Sequence, residues 1–345
     1  MSVFEIDPIH DPRWADFTSR HLQASVFHSP GWLMALQKTY GYQPFALTTA
    51  AEGEPLGDGI LLCRVNSWLT GRRAVSLPFS DHCQPLADGD RLHLLLEGLR
   101  RLHQREGWKY LELRPILASF AGQSLVPCER FHWHRLSLQQ SLDAIQEGFH
   151  KTAVRQMIRR AERESLTYEE GASPKLLQRF YRLLVLTRKR HHLPPPPLKW
   201  FSNLMDSLKG SATIRLASKE GSPVAALLIL AHPRSWVYKY GCSDSRHHKL
   251  GGISLLLWKT VKEAFQEGAV ELDFGRSDMA NQGLVTFKER WGAVGTSISY
   301  YRHPEAATQL GAARAPAMRL ARQVFAGLPP GALKAMGRCL YRHMG

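Results

Sequence analysis

At 345 residues the chain has room for two domains, and with 44% hydrophobic and 22% charged residues it is ordinary globular material, which excludes extensive disorder. The longest apolar stretch, Pro223–Ala231, is too short to span a bilayer, no basic-then-apolar leader opens the sequence, and five scattered cysteines without a CxxC pair exclude a disulfide framework or zinc site. The formal charge of +15 calls for an anionic partner: phosphates, nucleic acid or a membrane surface.

In chain order, Ser29-Pro30 reads as a helix N-cap and first helical position, with Gly41 as the stop. Strands are expected at about 43–50, 59–65 and 73–79, then a helix at 90–106 and a strand at 109–113. A basic helix occupies 151–163 and another helix 174–191. After the prolines 194–197 come a helix at 198–208 and strands at 211–218, 223–232 and 235–241. A helix at 253–267, a strand at 270–274, a short helix at 283–290 and a strand at 294–302 follow. Three strands, a helix and a strand thus occur twice. Glu106-Gly107-x-x-x-Leu111-Glu112-Leu113 and Glu267-Gly268-x-x-x-Leu272-Asp273-Phe274 mark the same point of each copy, a helix-stopping glycine before a buried strand. The expectation is a duplicated α/β unit, with domains at 1–145 and 146–303 and a basic helical tail at 304–345.

Charge is partitioned along the chain. Residues 1–140 carry 14 basic and 14 acidic side chains, residues 141–303 carry 25 and 15, and the tail carries 6 and 1. The sharpest patch is Lys151-Thr-Ala-Val-Arg155-Gln-Met-Ile-Arg159-Arg160-Ala-Glu-Arg163. On an α-helix Lys151, Arg155, Arg159 and Arg163 would stack in one column, which suits an anion or a solvated face. The tail's Arg314, Arg319, Arg322, Lys334, Arg338 and Arg342 interleave with apolar residues, a pattern that fits anionic lipid or packing onto the protein.

Three segments can carry chemistry. In Arg73-Ala-Val-Ser-Leu-Pro78-Phe-Ser80-Asp81-His82-Cys83 a strand breaks at proline into a polar run, where Asp81 or His82 can handle a proton. In Trp236-Val-Tyr-Lys-Tyr240-Gly241-Cys-Ser243-Asp244, followed by a basic loop and Gly251-Gly252, a strand, a loop and a helix N-terminus make an anion site. In Leu272-Asp273-Phe-Gly275-Arg276, leading to Phe287-Lys288-Glu-Arg-Trp291, Gly275 lets a backbone approach closely at a strand end. No P-loop, HExxH or GxSxG is present, and the histidine doublets lack metal-ligand spacing.

Taken together with Phe27-His-Ser29-Pro30-Gly-Trp32, Ser76-Leu-Pro-Phe79 and Gln84-Pro-Leu-Ala-Asp88, these segments resemble the FemAB-like branch of the GNAT acyltransferases, the peptidoglycan interpeptide-bridge transferases and their BioF2-type relatives, over roughly residues 25–300. The resemblance implies an α/β chain of the α+β type: two tandem GNAT (acyl-CoA N-acyltransferase) folds with mixed sheets flanked by helices. It implies an acyltransferase working in the cytoplasm or at the inner face of the cell membrane, without metal or bound cofactor. The donor would be aminoacyl-tRNA or an acyl thioester (acyl-CoA), and the acceptor an amine on a cell-envelope precursor. By position Lys288 matches the family's phosphate- or oxyanion-binding lysine, Tyr240 a tyrosine at the active strand's end, and Arg155 the basic helix after the domain junction.

Asp81 or Asp244 would accept the amine proton, and Lys151, Arg155, Arg159, Gly241, Ser243, Gly251, Gly252 and Arg276 would contact the donor. Arg114 stands where bridge-forming members carry an acid, and Met34 and Leu36 where they carry lysines. Those departures point the acceptor toward an envelope polysaccharide or lipid amine as well as a peptidoglycan peptide. Other readings of the same residues are an acyl-CoA-dependent N-acyltransferase of envelope polysaccharide synthesis and an inactive RNA- or membrane-binding module.

Overall fold

The computed structural model describes residues 2–117, 120, 125–305 and 323–345. Its contacts divide them into two compact units: residues of 1–130, 298–319 and 338–345 form one, residues of 131–297 and 320–337 the other.

The first unit opens with β1 (Phe4–Ile6) and two helices, α1 (Pro12–Arg20) and α2 (Pro30–Tyr40). Each helix starts with a capping side chain followed by proline: the Asp11 carboxylate accepts from Arg13 N, and Ser29 Oγ from Trp32 N. Gly41, left-handed at φ 72°, ends α2. Strands β2 (Gln43–Thr48), β3 (Ile60–Ser67) and β4 (Gly71–Ser76) run antiparallel. The chain crosses through α3 (Gly89–Glu106), stopped by Gly107 at φ 61°, to β5 (Tyr110–Leu113), parallel to β4. Leu95, Leu96, Leu99 and Leu102 of α3 pack with Phe45, Leu62, Ala74, Leu111 and Leu113 of the sheet as the core of this unit.

The second unit holds most of β6 (Val126–Ser137), then α4 (Leu142–Glu147), a π-helical turn at Lys151–Arg155, α5 (Gln156–Arg163) and β7 (Thr167–Gly171). After α6 (Pro174–Arg190) and α7 (Leu198–Ser207), strands β8 (Ala212–Lys219), β9 (Ser222–Leu230) and β10 (Ser235–Ser243) run antiparallel. The chain then crosses through a 3₁₀ turn, Ser245–Leu250, and α8 (Gly252–Gln266) to β11 (Glu271–Asp278), parallel to β10. Helix α9 (Gln282–Glu289) and β12 (Val294–His303) follow, and α10 (Pro330–Met344) closes the chain. Leu256, Leu257, Val261 and Ala264 of α8 pack with Ala225, Leu227, Trp236, Leu272 and Phe274.

The two sheets have one plan. Strand order is β1-β2-β3-β4-β5-β12 in the first unit and β7-β8-β9-β10-β11-β6 in the second. In both, the parallel pair formed across the helix is followed by an antiparallel strand, and that strand comes from the other half of the sequence: β12 pairs Tyr301–His303 with Leu111–Leu113, and β6 pairs Phe131–Ser137 with β11. Of the basic tail expected at 304–345, residues 306–322 lie outside the described residues, while Lys334, Arg338 and Arg342 fall on α10.

Candidate active site

The site is built where β10 and β11 stop being partners. β10 runs to Ser243 and β11 to Asp278, yet their parallel pairing covers only Ser235–Val237 against Glu271–Asp273. Both strands bulge there. In β10, Lys239 is the extra residue between Tyr238, opposite Ile229, and Tyr240, opposite Leu228. In β11, Phe274 and Gly275 stand against the single residue His134. Bulges bend and twist a strand, so two of them side by side open a slot between neighbours. The Tyr238 ring meets Phe274 edge-on across it, with centroids 5.8 Å apart.

Gly275 has φ 70°, and two charged side chains fix its peptides. The buried Asp273 carboxylate accepts from Gly275 N at 2.6 Å and from Trp133 Nε1 at 2.8 Å. Lys288, in the last turn of α9, is 2% exposed. Its Nζ donates to Gly275 O at 2.6 Å and Arg276 O at 3.1 Å. The Arg276 guanidinium lies over the Phe131 ring at 4.0 Å.

Gly241 is required beside the β10 bulge, because a Cβ there would come 1.7 Å from the Tyr238 hydroxyl. Tyr240 Oη accepts from Trp200 Nε1 at 3.2 Å, and its ring packs on Phe201. Ser243 is held by Thr187, whose Oγ1 accepts from Ser243 N at 3.0 Å, and its own Oγ meets His248 Nε2 at 2.9 Å. Asp244 caps the following 3₁₀ turn and pairs with Arg246 at 2.6 Å. Hydrogen bonding to Arg246 holds its carboxyl at about 2, so it is a weak proton acceptor at neutral pH.

Helix α8 begins on Gly251, at φ 76°, with no side-chain cap. A Cβ on Gly251 would lie 2.3 Å from Met157 O, and one on Gly252 would lie 2.9 Å from Ala225 Cβ, so glycines let the helix start sit flat on α5 and β9. The first-turn N–H groups of α8 and the ends of β10 and β11 therefore share one end of the sheet, the usual ligand end of parallel β-α-β units.

The expected column of four cations is altered by the π-helical turn. A π turn spends more residues per revolution than an α turn, so Lys151 falls out of line and Arg155 turns partly inward, its Nε buried without a hydrogen-bond partner. Arg159 and Arg163 remain together, joined by Arg160. These three line a groove of about 790 Å³ with Thr152, Gln156, Met157 and Glu162. Asp81 belongs to the first unit, where its backbone carbonyl accepts from Tyr300 Oη at 2.7 Å.

Two residues at the bulges escape sequence reasoning. Tyr238 is placed there by the bulge, and His134 by β6, a strand the sequence pattern does not announce. His134 is 1% exposed, and neither ring nitrogen has a hydrogen-bond partner. Burial, then the Lys288 charge, lower its pKa and keep it neutral. Among the described residues no three His, Cys, Asp or Glu side chains gather as metal ligands, and no helix is long and apolar enough to cross a membrane.

A strand split beside an uncapped helix start is a geometry that can take an extended ligand with its anionic groups at the helix N-terminus. Residues 149–289 match the family model described as an acetyltransferase (GNAT) domain. No curated protein matches in sequence. Among solved structures, FemX superposes with a TM-score of 0.74 at 14% identity, covering 90% of this chain and 99% of FemX. L-PGS from Bacillus licheniformis gives 0.60 at 14% identity, covering 92% and 98%. A tandem GNAT protein of the clavulanic acid biosynthesis pathway gives 0.52 at 11% identity, covering 87% and 97%. Residues 149–289 match the GNAT domain model, and the chain as a whole shares the fold of FemX and of that tandem GNAT protein.

Proposed function

We propose that this protein is a FemX-like N-acyltransferase that moves an aminoacyl group from a tRNA ester to an amine of a cell-envelope precursor. The observation that carries the proposal is the split between β10 and β11, with the glycine start of α8 at the same end of the sheet. The Arg159–Arg160–Arg163 groove beside it supports a polyanionic donor. In this reading the protein works from the cytoplasm on acceptors made at the inner face of the cell membrane.

The acceptor amine, unprotonated, attacks the donor carbonyl; a C–N bond forms, the ester C–O bond breaks, and the amine proton ends on the leaving hydroxylate. Backbone N–H groups near Gly241 face the developing oxyanion. Lys288 holds the Gly275 bulge at the distance the reaction needs and adds positive charge behind it. Asp244, fixed by Arg246, serves the loop rather than the proton.

A second reading keeps the chemistry and changes the donor to an acyl thioester, favoured by the GNAT family match itself. Binding of aminoacylated and deacylated tRNA, with acetyl-CoA and a long-chain acyl-CoA as competitors, separates the two. Preference for charged tRNA that thioesters do not disturb supports aminoacyl transfer. Tight thioester binding with indifferent tRNA binding supports the second reading, and failure to transfer either group ends both.

A further inference from the structure

The turn between β3 and β4, Ser67-Trp68-Leu69-Thr70, carries the most exposed large apolar side chain of the described residues. Trp68 is 85% exposed and Leu69 53%. The turn is well ordered by its own bonds, because Ser67 Oγ accepts from Leu69 N at 3.2 Å and from Thr70 N at 3.0 Å. Trp68 and Leu69 stand exposed side by side on one turn, with Met344 on the segment bonded to it, and a contiguous exposed apolar patch marks a contact surface.

The end of α10 is fastened to the same tip. His343 Nδ1 lies 2.9 Å from Ser67 Oγ, Thr70 Oγ1 donates to His343 O at 3.1 Å, and the Trp68 and His343 rings meet edge-on at 5.3 Å. From below, the buried Arg73 donates to His343 O at 3.0 Å. These bonds hold Met344, 51% exposed, on the same segment, with Arg338 and Arg342 exposed one helical turn apart on α10. Arg72 follows the turn on β4, and Lys109 runs beside Gly71, its Cδ 3.4 Å from where a glycine Cβ would stand. Among the described residues Glu106 is a neighbouring carboxylate, and it is paired with Arg72 at 3.4 Å.

We propose that this tip docks the protein on an anionic lipid bilayer, with Trp68, Leu69 and Met344 entering the headgroup–acyl boundary and Arg72, Lys109, Arg338 and Arg342 meeting the lipid phosphates. Trp68, Leu69 and Met344 are 85%, 53% and 51% exposed, and a bilayer interface is a partner that such side chains can enter. Tryptophan suits the membrane interface, with an apolar ring and a polar N–H. Cations set behind an apolar tip match the layered order of an anionic leaflet. A nucleic acid would satisfy the cations and leave Leu69 and Met344 in water. Acyl transfer plays no part in this inference, and vesicle binding is read without it.

The test is co-sedimentation of the full chain with vesicles of equal parts phosphatidylglycerol and phosphatidylcholine, against vesicles of phosphatidylcholine alone. Wild type is expected to bind the anionic vesicles. W68S/L69S should lower that binding about tenfold or more, with an unchanged circular dichroism spectrum because both side chains are exposed. K109E/R342E should abolish the preference for the anionic composition. Brominated lipid should quench wild-type fluorescence, and W68F should bind while losing that quenching. Absence of wild-type binding, full binding by W68S/L69S, an unchanged anionic preference in K109E/R342E, or quenching that persists in W68F would each overturn the proposal.

Discussion

Lys288 and Asp273 hold the same residue from opposite sides: the ammonium donates to Gly275 O at 2.6 Å, and the carboxylate accepts from Gly275 N at 2.6 Å. Neither charge faces solvent, and a glycine at φ 70° sits between them. A bulge with both its peptide groups bonded to buried ions cannot drift, and the slot beside β10 inherits that rigidity.

Lys288→Met should therefore act through position. The buried Gly275 carbonyl and the part-buried Arg276 carbonyl lose their donor, which costs about 1–3 kcal/mol of stability, and the loosened bulge should lower kcat roughly a hundredfold. Asp273→Ala, which releases the other side, should reproduce the kcat loss. Equal turnover in Lys288→Met and wild type, or a normal kcat in Asp273→Ala, would remove the bulge from the mechanism.

Gly251 and Gly268 make a matched pair. Both are left-handed, at φ 76° and 78°, but a Cβ on Gly251 meets Met157 O at 2.3 Å while one on Gly268 meets nothing within 4 Å. Gly268→Ala should cost only the backbone term, about 1–2 kcal/mol. Gly251→Ala should cost clearly more, and should also weaken donor binding by pushing the α8 start off α5. Thermal melts of both variants check the first statement, and equal melting points would contradict it.

Helices α2 and α3 were legible because their ends are chemical: Ser29-Pro30 with Gly41, and Glu106-Gly107, lie where the sequence pattern places them, whereas α1 and the short α4 went unread. So was the repeated order of three strands, a helix and a strand. β6 was not, because Val126–Ser137 mixes charges and histidines with apolar residues and takes its order from β11, far along the chain. The pairing of β12 with β5 is equally non-local; a strand at 294–302 is readable, its partner is not. At the site, Lys288 and Gly241 could be named from motifs, whereas Tyr238 and His134 depend on the bulges. The π-helical turn defeated the simple spacing argument for Lys151 and Arg155, since i, i+4 stacking presumes an unbroken α-helix.

If the Arg159–Arg163 groove meets donor phosphates, its contribution is counted in released ions. R159E/R163E should weaken tRNA binding and reduce the slope of log K against log salt by about 2. Binding of short acyl thioesters should change less. An unchanged salt slope would assign the groove to something other than nucleic acid.

His134 should report on acid sensitivity near neutrality. Burial, reinforced by Lys288, depresses its folded-state pKa below the ordinary 6.5, with Glu289 pulling the other way and His132 adding to the depression. Protonation then favours the unfolded chain, so the stability present above about pH 6.5 declines as pH falls. His134→Phe keeps a ring without nitrogens to desolvate or protonate. Its melting temperature should fall less than that of wild type between pH 7 and 5.5, and parallel curves would show that His134 finds a proton without cost.

A second acid transition belongs to the first unit. Glu112 accepts from Arg114 Nε at 2.9 Å and Arg302 Nε at 2.7 Å, with Arg302 also reaching Glu129 at 3.2 Å. Burial alone would raise the Glu112 carboxyl, but the Arg114 and Arg302 charges outweigh it and hold it at about 2, against 4.5 unperturbed. A carboxyl depressed in the folded state contributes stability that is complete above its unfolded pKa and lost as pH drops toward the folded one, here between about 4.5 and 2. The size is roughly 3 kcal/mol at neutral pH. Glu112→Gln should cost more than that share, roughly 3–5 kcal/mol, because Arg114 loses its counter-ion and the buried Arg302 keeps only Glu129. It should also flatten the acid limb below pH 4.5, where wild type is losing the same interaction by protonation. Chemical denaturation at pH 7 and at pH 3.5 distinguishes the cases: a variant as destabilised at the lower pH as at the higher would mean that the arginines draw their compensation from Glu129 rather than Glu112.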